Sequence, residues 1–225
     1  MGCVEDVGRK AGILELRTRI SHVRADGREY RVIRPDRTAP RLVVLDQDYW
    51  LNGFADRAAI QQLATLWALA AVSPRSIVHV PMRRNGSPEE GRRLDLVLSH
   101  HSLQLRPSRW TALRARFGGG APHTVRIPDP GTPKLDYSRY WHREYLDWLR
   151  FDNAADTLFV TGGHESLFRA AVDLRKLLAE TADLEPTEPT QHACAELDSG
   201  RPGDHNDPRH GTPGRLHIQY EPTDW

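Results

Sequence analysis

Cysteine is almost missing from this sequence: Cys3 and Cys194 are the only two in 225 residues. Two thiols so far apart build neither a disulfide framework nor a zinc ribbon. Lysine is scarce too, limited to Lys10, Lys134 and Lys176, so nearly all of the 31 basic residues are arginine. An excess of one charge is lacking, with 31 basic against 30 acidic residues and a net charge of +1. That balance removes the global field expected of a nucleic-acid or anionic-lipid binder. No apolar run approaches the ~20 residues of a membrane span. The opening "MGCVEDVGRK" has no apolar stretch of a secretory signal, and Asp6 stands where a myristoylation pattern needs Ser or Thr. These absences predict a cytoplasmic protein without a membrane or nucleic-acid partner. The richness in Arg, Ala, Pro and Gly fits a bacterial coding bias.

What is present is a regular alternation of elements. "ILELRTRISHV" and "REYRVIRP" alternate on either side of Asp26-Gly27, which predicts a hairpin over 13–34. "RLVVLDQD" reads as a buried strand. Asp56 then caps a helix, "RAAIQQLATLWALAA", with Ile60, Leu63 and Trp67 on one face and Ser73-Pro74 as its stop. "SIVHVPM" and "LDLVLS" are strands that pair. Ser108 is expected to cap a helix over 109–117, ended by the glycines 118–120. "HTVRIP" is a strand. Asp136 is expected to open an aromatic helix over 137–150, with Tyr137, Tyr140, Trp141, Tyr145 and Trp148 on one stripe. "DTLFVTGG" is a strand and "HESLFRAAVDLRKLLAE" an amphipathic helix. "HACAELD" and "RLHIQYEP" read as antiparallel partners across a Gly/Pro-rich tip over 199–214.

The predicted class is therefore α/β: a mixed sheet with N-terminal and C-terminal antiparallel hairpins and helices packed on the sheet. Residues 1–180 are expected as a single mixed α/β domain. Residues 181–225 form a Pro/Gly/His-rich extension whose two short strands complete the same sheet.

Five places carry candidate chemistry. "LVVLDQDYW" ends a strand in Asp-x-Asp, and two carboxylates there can hold a hard cation. In this respect it resembles the first motif of the haloacid dehalogenase-like phosphatases. The resemblance implies Asp46 as nucleophile, Asp48 as acid/base and a bridging magnesium, with Ser99 suiting that family's second motif. Tyr49-Trp50, where that family has smaller residues, and "LFVTGG", where it has paired acids, depart from the pattern. Second, "SHHS" ends a strand on His100 and His101. Adjacent strand residues point to opposite faces, so only one of the pair can face a given pocket. Third, Gly162, Gly163 and His164 make a strand-to-helix turn whose free N–H groups form an anion nest, without Walker or G-x-G-x-x-G spacing. Fourth, the aromatic helix with Arg139, His142, Arg143 and Arg150 is read as core, and as an interface if exposed. Fifth, His192, Cys194, His205, His210 and His217 form a metal inventory without compact spacing.

The last third, "DTLFVTGGHESLFRAAVDLRKLLAE" with "RLHIQYEP", resembles small bacterial immunity proteins of polymorphic-toxin systems. That resemblance implies an α/β binder that occludes a protein partner without chemistry. Two function classes follow. One is a binding or interaction protein taking a protein partner or small anionic ligand, with Gly162, Gly163, His164, Tyr49 and Trp50 as contacts. The other is a hydrolase or phosphoryl-transfer enzyme built from Asp46, Asp48, His100 and His101, with a divalent metal as its cofactor. The separation of Asp46 and His100 discriminates between them.

Overall fold

The computed structural model describes residues 12–25, 27–48, 50–136, 138, 146–182, 184, 193–198, 214–222 and 225. Its first element is the expected hairpin. β1 (Ile13–Ala25) and β2 (Arg28–Pro35) pair antiparallel with Ala25 opposite Arg28. Gly27 takes φ +73°, which a two-residue hairpin turn demands and glycine supplies without strain. The first half of β1 pairs on its other edge with β7 (Ala121–Pro128).

β3 (Leu42–Asp46) does not lead straight into the helix. The chain turns back as β4 (Leu51–Ala55), antiparallel to β3, and only then enters α1 (Arg57–Val72). β4 hides in the sequence because "LNGFA" lacks alternation. Its Gly53 is required by packing, since a Cβ there would run into Ile218 on the neighbouring strand. Asp56 caps α1 by accepting from the Ala59 N–H at 2.8 Å. α1 is the crossover that brings β5 (Ser76–Val80) parallel to β2, and β6 (Arg92–His100) pairs antiparallel to β5.

The helix expected over 109–117 is shorter. A 3-10 turn at Pro107–Arg109 precedes α2 (Trp110–Arg114), and Ser108 makes no capping bond. Trp110, Leu113 and Phe117 are nonetheless buried together, as their spacing suggested. The aromatic helix over 137–150 is corrected at its end. Leu146–Leu149 are not helical, and β8 (Arg150–Ala154) pairs antiparallel with β9 (Thr157–Gly162). Tyr137, Tyr140, Trp141 and Tyr145 lie outside the described residues. The β8–β9 turn is Ala155-Asp156, both at positive φ, +49° and +54°. That is a type I′ geometry without its usual Gly or Asn, so no turn signal marks it in the sequence.

β9 runs parallel to β6 and feeds α3 (His164–Glu180). The hairpin of β10 (Cys194–Asp198) and β11 (Arg215–Tyr220) joins the same sheet, β11 lying parallel to β4. The result is an α/β fold: an 11-stranded mixed sheet with an antiparallel hairpin at either end of the chain.

The sheet is apolar on both faces. On one, Val78, Val80, Leu96, Leu98, Leu158 and Val160 meet α1 and α3, with Trp67 fully buried between them. On the other, Val23, Val32, Ile77, Val97 and Phe159 are covered by Leu105, Trp110, Leu113 and Phe117. No helix among the described residues is long and apolar enough to cross a membrane.

Candidate anion-binding cleft

The end of β6 sorts the two histidines. Leu94, Leu96 and Leu98 face the helices, so strand alternation sends His100 the same way. The His100 Nδ1 accepts from the Ser102 N–H at 3.2 Å and lies 2.7 Å from Ser102 Oγ. It caps a 3-10 turn over His101–Leu103. Burial, with His101 and His164 nearby and Asp147 partly opposing, holds its ring below the usual histidine range. A neutral ring is what an Nδ1 acceptor needs. His101 stands on the turn, its ring centroid 4.3 Å from that of His100, and lines a cleft.

That cleft, of about 570 Å³, lies on the α2 face. Four arginines line it: Arg28 from β2, Arg106 and Arg109 from the turn before α2, and Arg150 from β8. His101, Gln104 and Thr161 add polar atoms, while Tyr30, Leu105 and Leu113 supply apolar surface. Among the described residues, no Asp or Glu lines it. Arg150 donates to Asp152 at 2.9 Å. Among the described residues, Arg28 and Arg106 have no acidic partner, and both are exposed. The turn that presents His101 closes through Gln104, which takes φ +48° while its N–H donates to the His101 carbonyl at 3.0 Å. A non-glycine residue held there is the local strain that binding loops store.

Beside the cleft lies a buried polar group. Asp95 accepts from the N–H groups of Met82 and Arg83, at 3.0 and 3.1 Å, and from Arg114 at 3.4 Å. His79 Nε2 faces the Asp95 carboxylate at 3.7 Å. The imidazole packs against Trp110 and Phe117, with centroids 5.1 and 5.7 Å away. Burial pushes the His79 ring below its ordinary range, against the pull of Asp95. Burial alone would raise Asp95, but the His79 ring and Arg83's N–H and charge outweigh it and hold the carboxyl low. Trp110 Nε1 donates to Thr157 at 3.0 Å, which fixes α2 against β9 and so fixes one wall of the cleft.

Of the nest expected at Gly162, Gly163 and His164, only the Gly163 N–H meets an anion, and that anion is the protein's own. The Asp147 carboxylate accepts from the N–H of Gly163, from Glu165 at 2.9 Å, from Ser166 at 3.3 Å and from Ser166 Oγ at 2.8 Å. A Cβ at Gly163 would collide with that carboxylate. His164 Nδ1 donates to the Ala71 carbonyl at 3.1 Å, tying the start of α3 to the end of α1.

The strand-end Asp/His site is not assembled. Asp46 pairs with Arg92 at one end of β6, and His100 closes the other. Eight residues of strand separate them, about 26 Å. Asp46 Oδ2 accepts from Arg92 and, at 2.7 Å, from Asn153. Asp48 is exposed at φ +64° in the β3–β4 turn. Trp50 is 51% exposed there, far from the cleft lining, and Tyr49 lies outside the described residues. The two aspartates and His101 therefore share no pocket.

Of the late His/Cys set, Cys194 and His217 come together with Glu196, while His192, His205 and His210 lie outside the described residues. Of the cleft arginines, the sequence singled out only Arg150, and that beside the aromatic segment; the run "LRPSR" holds Arg106 and Arg109, and Arg28 carries no local signal. No protein-family model matches the chain, and neither the curated proteins nor the solved structures include a match to it.

Proposed function

We propose that this chain is a binding protein whose ligand is a small polyanion carrying phosphate or carboxylate groups, held in the arginine-lined cleft. One observation carries the reading: four arginines and His101 line a single cleft in which no described residue is acidic. Guanidinium forks recognise phosphate and carboxylate through paired, charge-assisted hydrogen bonds. A volume of about 570 Å³ lies in the range of small-ligand sites. Arg28 and Arg106 have no ion-pair partner among the described residues to give up when they engage a ligand, which lowers the cost of binding. A bacterial, cytoplasmic setting belongs to the same proposal. So does a protein partner, as the likeness to toxin immunity proteins implies, since an acidic side chain would meet the same donors.

Calorimetric titration with pyrophosphate, nucleoside triphosphates and citrate tests the proposal. At least one is expected to bind, to weaken as salt is added, and to lose at least tenfold in affinity in the Arg28→Ala/Arg106→Ala double variant. Binding to none of them, or equal binding by the folded double variant, sinks the reading.

A further inference from the structure

The geometry points to a zinc site on the outer face of the β10–β11 hairpin, with Cys194, Glu196 and His217 as its three protein ligands and the fourth tetrahedral position open. Glu196 lies directly opposite His217 in the antiparallel register, and Cys194 precedes Glu196 by two residues. Strand alternation places Ala195, Leu197, Leu216 and Ile218 in the core, which leaves Cys194, Glu196 and His217 together on the other side. One ligand atom from each, sulfur, carboxylate oxygen and ring nitrogen, lies within 4.8 Å of the other two. With bonds of about 2.0–2.3 Å, zinc needs these atoms only slightly closer, within reach of side-chain rotation.

The supporting contacts suit the site. His217 Nδ1 faces Glu196 Oε1 at 2.7 Å, so two of the three donors are already juxtaposed. Arg215 Nε stands 3.5 Å from the other oxygen, Glu196 Oε2, and orients the carboxylate from outside. When zinc binds, the S–H bond breaks, the proton leaves to solvent, and the sulfur–zinc bond forms. Thiolate, carboxylate and neutral imidazole together carry two negative charges against the ion's two positive ones. A thiolate with an imidazole selects zinc over magnesium or calcium.

The full chain is titrated with zinc against a chromophoric chelator, and with cobalt followed by absorption. The expected result is one zinc per chain with Kd of about 1 µM or tighter. Cobalt should give a near-ultraviolet sulfur-to-metal charge-transfer band. Cys194→Ser should abolish the band, and Glu196→Gln and His217→Gln should each weaken zinc at least tenfold, with far-UV circular dichroism unchanged. Cys3→Ser should keep both band and affinity. If Cys194→Ser fails to fold, the Glu196 and His217 variants decide. The site is overturned if wild type shows no charge-transfer band or binds zinc more weakly than about 100 µM. It is equally overturned if the band disappears with Cys3, or if binding survives at Glu196 and His217 but is lost in His205→Ala/His210→Ala.

Discussion

Two places in this molecule attract negative charge, and they differ in what meets it. At the start of α3, three backbone N–H groups and the Ser166 hydroxyl close on the Asp147 carboxylate. Across the sheet, Arg28 and Arg106 open onto the cleft with no acidic partner among the described residues. The first site spends its donors on holding the fold together. The second leaves them for something outside the chain. Donor chemistry alone does not separate a cap from a binding site; what separates them is whether the protein supplies its own acceptor.

Substitutions can break the comparison at either place. The largest effect is expected at the wall between them and the core. Trp110→Ala removes a fully buried indole and its bond to Thr157, at a cost of about 3–5 kcal/mol, and should abolish anion binding by releasing the cleft wall. Chemical denaturation with titration of the folded fraction measures both. Asp147→Ala comes next. It leaves the α3 donors without their acceptor and should cost about 2 kcal/mol, a fall in Tm of roughly 4–8 °C, while affinity in the cleft stays unchanged.

The pH response sharpens the contrast between buried and open histidines. His79 is held neutral by burial in the folded state, whereas the unfolded chain takes up a proton near its ordinary value of 6.5. The unfolded state thus binds more protons as pH falls below about 6.5, and stability should fall with it. The loss stops growing once the pH passes the lowered folded value. His79→Gln should flatten that slope in urea melts run across the window. Asp95 acts lower down: its stabilisation is complete above about pH 4 and is lost as pH falls through its depressed folded value. The smallest stability effects belong to the cleft itself. Arg28→Ala and Arg106→Ala, both exposed, should each change stability by within about 0.5 kcal/mol yet weaken the anion by several-fold or more.

Sequence logic reached furthest where local rules agree with the fold. The Asp26-Gly27 hairpin, the Asp56 cap of α1 and the stripe of α3 all follow from turn chemistry and periodicity. It missed β4 and β8 because the usual signs are absent there. Gly53 lies against Ile218 of β11, adjacent in the sheet but distant in sequence, and the Ala155-Asp156 turn adopts positive φ without glycine. For "SHHS", alternation holds for His100 but not for His101, which stands in a 3-10 turn with its ring against that of His100, and the sequence placed the pair's neighbours at Asp46 and Asp48. The structure gives His101 arginine neighbours instead. Arg28, Arg106 and Arg150 are far apart in the chain; Arg28 and Arg106 each read alone as a solvated side chain, and Arg150 reads as part of the aromatic segment. Only the pairing of β6 with β9, and of β8 with β9, brings them to one cleft beside the β1–β2 hairpin. Of the expected nest, Gly163 was legible and the further donors Glu165 and Ser166 were not. Nor was its occupant, because Asp147 sat in a segment that reads as helix.

The most direct test follows the arginine Nε–Hε resonances and the backbone amides together by NMR while pyrophosphate is added. The account predicts that Arg28, Arg106, Arg109 and Arg150 and the His101 ring shift and saturate as one, while the Gly163, Glu165 and Ser166 amides stay still. Shifts confined to those three amides, or a spectrum that does not move, would contradict it.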